Sequence, residues 1–304
     1  MSEPPQAFTA NWRIVLTTIG VTCLMAGAAH ATGIEVPFEF DHNEIFVEVR
    51  VNGQGPYRML VDTGTSPSVI DRDVALKLGL KLGAVGNGSG AGTAEIRAQE
   101  TLFDTLDVGS LHASKVEALS VDLAPIKAKL GPTLIGVLGY SLFRGRIVQF
   151  DYPHGKLRFL DTFAEPSVPP DKVVTLPFRL NEANGPIITA VLVKNRALTA
   201  ILDTGSGRML LFTPDGARRV GLADEIAKGK AVQSAGYAGR FSMIEGRVAR
   251  VKIGTLTVEG PSATFTQKGT GYDNQVYDVN IGNALLKDFV VTFDYKKKRV
   301  TFAK

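Results

Sequence analysis

Leu60-Val61-Asp62-Thr63-Gly64 recurs as Ile201-Leu202-Asp203-Thr204-Gly205, an offset of 141 residues. Two further landmarks follow in the same order. Leu78-Gly79-Leu80 recurs as Val220-Gly221-Leu222 at 142, and Phe150-Asp151-Tyr152 recurs as Phe293-Asp294-Tyr295 at 143. Around the last pair, Gly139, Leu142, Val148 and Phe159 match Gly282, Leu285, Val291 and Phe302. An internal repeat constrains the fold more than any single motif, because each copy must build the same unit. The reading is a leader over residues 1–31, an N-terminal lobe over 32–163 and a C-terminal lobe over 164–304. The second lobe opens on a stiff Pro-rich linker, Glu165 to Pro170.

Each half reads mainly as strand. Residues Phe46 to Val51 alternate apolar and polar side chains, as a half-buried strand does. Asn52-Gly53-Gln54-Gly55 supplies a turn and Tyr57 to Val61 the returning strand. Ile187 to Val193 and Ala197 to Leu202 repeat this hairpin around Lys194-Asn195-Arg196. One short helix is expected after each Asp-Thr-Gly. The first has Asp71 as N-cap and stops at Gly79; the second has Thr213 as N-cap, Pro214 at its first position and Gly221 as terminator. Both halves close on a hairpin: Ile147 to Tyr152 with Lys156 to Leu160, and Phe289 to Tyr295 with Arg299 to Phe302.

The leader reads as a secretory signal. Arg13 precedes an apolar run from Ile14 to Ala28, and Ala29-His30-Ala31 fits a small-x-small cleavage pattern. Cleavage after Ala31 implies a periplasmic or secreted protein with no remaining membrane span; the alternative is an uncleaved N-terminal anchor. The chain has one Cys and one Trp, Cys23 and Trp12, both in this segment. Neither a disulfide nor thiol chemistry is then available to the mature chain. Net charge is +4, with the basic residues scattered rather than gathered on one stretch, so no nucleic-acid partner is expected.

An Asp at the end of an apolar strand, followed by Thr-Gly, sets a carboxylate at a buried turn. One such tripeptide is ordinary turn chemistry. Two, one in each half of a repeat, let a pseudo-twofold axis bring Asp62 and Asp203 together. Two carboxyls in contact cannot both ionise cheaply, so they share a proton and titrate as a pair. Such a pair acts as base toward water and as acid toward a leaving group.

Asp62-Thr63-Gly64-Thr65 and Asp203-Thr204-Gly205-Ser206 resemble the active-site signatures of aspartic proteases. Val137-Leu138-Gly139 and Asn280-Ile281-Gly282 resemble the hydrophobic-hydrophobic-Gly element of that fold, which threads under the active-site loop. The stretch Asn280 to Phe289 and the short lobes resemble bacterial retropepsin-like proteins. The resemblance covers nearly the whole mature chain. It implies a bilobal, mainly β acid-protease barrel fold in which Asp62 and Asp203 activate a water for peptide-bond hydrolysis. Thr63 and Thr204 would bond across the lobe interface. Gly64 and Gly205 would bring backbone N–H groups to the carboxylates, and Thr65 and Ser206 would orient their outer oxygens. The implied flaps are Gly86 to Gly92, with Gly88 and Gly90, and Ser234 to Gly239, with Gly236 and Tyr237. An extended peptide or unfolded protein would lie beneath them. No metal or organic cofactor is implied, and the halves fit a monomeric pseudo-dimer. The alternative is a catalytically inactive peptide-binding or assembly module of the same fold.

Three other features read blandly. The Gly86 to Gly92 run lacks the Lys-Ser/Thr of a phosphate loop and reads as a hairpin tip. His112 and His154 sit near turns with no nucleophile partner and read as surface residues. Asp151 and Asp294 repeat as faithfully as the catalytic candidates, yet each lies at a strand end and reads as a turn-bonding carboxylate.

Overall fold

The computed structural model describes residues 32–304. The leader, with Cys23 and Trp12, lies outside the described residues. The rest is mainly β and folds as two lobes of like construction.

The first hairpin joins strand Glu44–Val51 to Gln54–Val61, and its counterpart joins Pro186–Val193 to Arg196–Asp203. The second turns on Lys194 and Asn195, both at positive φ (48° and 60°), the geometry a two-residue hairpin demands. Each lobe then repeats one pairing order. Gln54–Val61 runs parallel to Leu134–Leu138, which lies antiparallel to Ser68–Asp71. Arg196–Asp203 runs parallel to Val279–Gly282, which lies antiparallel to Leu210–Phe212. The two aspartates thus end strands that are held centrally in their sheets.

The helices expected after each Asp-Thr-Gly are present. Arg72–Lys77 is capped by Asp71, whose side chain accepts from Val74 N, and Pro214–Val220 by Thr213, which accepts from Gly216 N. The structure departs from one helix per lobe. Each lobe carries three among the described residues, the others being Ala124–Leu130, Tyr140–Phe143, Ala223–Ala227 and Asn283–Leu286. These four span one or two turns, too few residues to print an amphipathic period in the sequence.

A six-stranded sheet joins the lobes. At its centre Ile147–Asp151 pairs antiparallel with Val290–Asp294, and Gln149 faces its own repeat mate Thr292. Gln149 Nε2 donates to Thr292 Oγ1 at 3.0 Å, so the pseudo-twofold axis passes through this pair. Beneath it one continuous apolar core spans both lobes; the buried rings of Phe150 and Phe293 meet edge-on at 5.7 Å. Burying a side chain of this size contributes roughly 1.5–3 kcal/mol, and the shared core makes the lobes interdependent.

Asp151 and Asp294 tie down the closing turns. Asp151 accepts from His154 N and from Arg158 Nη1, and Asp294 from Lys297 N and Arg299 Nε.

Candidate active site

Asp62 and Asp203 end their strands side by side at the lobe interface. Beneath them the two threonines interlock. Thr63 Oγ1 donates to Leu202 O at 2.8 Å, and Thr204 Oγ1 donates to Val61 O at 2.9 Å. Each hydroxyl also accepts the other threonine's backbone N–H, at 3.0 and 3.1 Å. Both side chains are fully buried. The four bonds cross between lobes, so neither loop can shift alone.

Gly64 N donates to Asp62 Oδ1 at 2.6 Å and Gly205 N to Asp203 Oδ1 at 2.9 Å. The glycines are also required sterically. A Cβ on Gly205 would stand 2.2 Å from Asp62 Cγ, and one on Gly64 would stand 2.9 Å from Asp203 Oδ1. Each glycine therefore admits the opposite lobe's carboxyl. The hydrophobic-hydrophobic-Gly elements lie directly under these loops. A Cβ on Gly139 would strike Thr65 O at 2.4 Å, and one on Gly282 would strike Ser206 O at 2.2 Å.

The two carboxyls face each other across the lobe interface, each packed against the opposite lobe's glycine. Burial holds Asp203 well above the usual carboxylate range, and the charge of Asp62 pushes it further. The amides of Asn280 and Gly205 oppose that rise without reversing it. One proton on the pair is shared, and the two carboxyls titrate as a unit.

The outer oxygens are held differently in the two lobes. Thr65 Oγ1 donates to Asp62 Oδ2 at 2.5 Å, as its place in the signature implies. Asp203 Oδ2 instead takes the side-chain amide of Asn280; among the described residues Ser206 makes no such bond. The repeat explains the difference. Asn280 occupies the position of Val137, so only the second lobe brings a donor up from below. This role was missed in the sequence, although an Asn inside a buried hydrophobic-hydrophobic-Gly element was its signal.

Gly88, Gly90, Gly236 and Tyr237 all line one cleft with the dyad. Its cavity of about 470 Å³ lies within the range of small-ligand sites. Strand Val85–Gly88 pairs with Ile96–Val108 to form the first flap; Lys230–Gly236 pairs with Gly239–Arg247 to form the second. Their tips meet above the cleft. Ala238 N donates to Ala91 O at 2.8 Å, and Thr93 N and Ala94 N both donate to Ala238 O at 2.9 Å. Gly92 N donates to Thr270 O, drawing in a third segment. Tyr237 projects from the second tip, with its hydroxyl 3.4 Å from Thr65 Oγ1.

His112 and His154 lie at the surface, each beside one aspartate, Asp107 and Asp151. Among the described residues no group of three His, Cys, Asp or Glu side chains is placed to hold a metal ion.

Two lobes, a shared sheet and paired Asp-Thr-Gly loops define the bilobal, pepsin-like class of fold. The family profile described as aspartyl protease matches residues 47–142 and again 189–285. The chain belongs to the aspartyl protease family. Solved structures share the fold, among them the crystal structure of basic 7S globulin from soybean. That likeness has a TM-score of 0.50 at 10% identity, over 90% of this chain and 95% of the globulin. No curated protein matches the chain.

Proposed function

We propose that the chain is an aspartic endopeptidase acting on extended or unfolded polypeptide. One observation carries this reading: two carboxyls from two lobes face each other at one cleft, and each outer oxygen has its own donor. A water between them loses a proton to Asp62 as its oxygen adds to the scissile carbonyl, whose oxygen takes the proton of Asp203. The resulting diol collapses. The leaving nitrogen takes the proton from Asp62, the C–N bond breaks, and one diol hydroxyl returns a proton to Asp203. One water is consumed and the dyad is restored.

The paired flaps support an extended ligand, which would bond through its backbone beneath them. One chain supplies both halves of the site, which supports action as a monomer. We further propose that it works in the periplasm or outside the cell, on the strength of Arg13 and the apolar run after it. Among the described residues no helix is long and apolar enough to cross a membrane. A leader removed after Ala31 leaves a mature protein without tryptophan fluorescence.

Incubation with an unfolded protein between pH 3 and 7, with products read by mass spectrometry, tests the reaction. New termini with one water-derived oxygen are expected. Binding of the unfolded protein without cleavage at any pH would point to a peptide-binding module instead.

A further inference from the structure

We propose that Glu44 forms a subsite for a cationic side chain of the substrate, a lysine or arginine close to the scissile bond. The inference rests on the endopeptidase reading above and adds a substrate preference to it.

Glu44 opens strand Glu44–Val51, lines the same cleft as Asp62 and Asp203, and is only 1% exposed. Its Oε1 accepts from Gly207 N at 3.0 Å and faces Lys129 Nζ at 3.5 Å. Its Oε2 is buried without a hydrogen-bond partner. Buried carboxyl oxygens are ordinarily satisfied, so a polar partner is missing here, and the residue lines the cleft that substrate enters. Lys129 does not supply it. That amine stands beside the other oxygen, on a side chain 43% exposed. The lack of a side chain at Gly207 permits its close contact with Oε1; a Cβ there would stand 3.1 Å from that oxygen.

The charge of the missing partner follows from the surroundings. A second hollow shares Lys129 and Leu130 with the cleft. It carries Asp41, Asp71, Asp73 and Asp122 against Lys127, Lys129 and His42. Its four carboxylates outnumber its two lysines, so the hollow next to Glu44 is net negative, while Arg208 at the cleft pairs with Glu245. Burial pushes the Glu44 carboxyl up to about 8, and an incoming ammonium or guanidinium restores its ionised form. By the 141-residue offset of this hairpin, the matching position of the other lobe is Gly185, which offers no carboxyl. The preference should then fall on one side of the dyad only.

The test uses the full mature chain and peptides that carry Lys, Arg, Met or Glu at each position around one cleavable bond. Wild type is expected to favour Lys or Arg over Met by about tenfold or more in kcat/KM, at a single position. Glu44→Gln should collapse that ratio to near unity, and Glu44→Asp should restore part of it. A cationic preference that survives Glu44→Gln overturns the proposal, as does wild type that shows none. If wild type cleaves no peptide, the endopeptidase reading fails separately. Fluorescence anisotropy of the same labelled peptides then decides: a Lys-over-Met ratio lost in Glu44→Gln supports the subsite, and equal binding overturns it.

Discussion

Asn280 gives Asp203 the outer-oxygen hydrogen bond that Thr65 gives Asp62, so one dyad is held by unlike donors from two like lobes. A donor favours the ionised form of its carboxyl. Replacing Asn280 with Val, the residue of the other lobe, should tighten the hold of Asp203 on its proton. The basic limb of the kcat/KM profile should move to higher pH by roughly one pH unit, with activity reduced about tenfold. A variant that loses activity with an unchanged profile would show Asn280 to be merely structural.

The threonine interlock should be stiff and costly to break. Thr204→Val keeps the shape but leaves Thr63 N and Val61 O unpaired in the interior. Each buried unsatisfied group costs about 1–3 kcal/mol, so urea unfolding should show a loss of about 2–4 kcal/mol. Thr204→Ser keeps the hydroxyl and should recover most of it.

The flap tips form a lock that must open to admit substrate. Gly92 sits at a φ of 127°, and a Cβ there would stand 2.2 Å from the backbone carbon of Ala238. Gly92→Ala should pry the tips apart. Hydrogen exchange at Ala238 should quicken, while kcat/KM falls by about one to two orders of magnitude because the lid no longer positions the peptide.

Glu44 links pH to stability. Its carboxyl is raised in the folded chain to about 8 from an ordinary 4.5, chiefly by burial. The folded state therefore binds a proton that the unfolded state has released between these values. The stabilising contribution is complete below about 4.5 and lost as the pH rises through about 8. Glu44→Gln has no such loss. It should match wild type near pH 4 and exceed it at pH 8 by a few kcal/mol, on the order of the linkage limit. Equal stability at both pH values would place Glu44 in contact with water.

The repeat made much of this legible in the sequence. Both Asp-Thr-Gly loops, the threonines and both capped helices stand in apolar-strand and turn patterns that are local. What was not legible depends on distant segments meeting. Glu44 lies before the alternating strand pattern and carries no signal of its own; its burial and its bond from Gly207 of the other lobe come from tertiary folding. Asn280 meets Asp203 because two distant strands pair side by side, in parallel register from Ala200 to Asp203. Ser206 carries the hydroxyl that its signature promises, yet its lobe holds the outer carboxyl oxygen with an amide.

The most direct test of the central claim compares wild type, Asp62→Asn, Asp203→Asn and the double variant on one unfolded substrate from pH 3 to 7. Near-UV circular dichroism should first show that all four are folded. The account predicts a loss of about a thousandfold or more in each single variant, with little further loss in the double, because the two carboxyls act as one unit. Full activity in either single variant would contradict it.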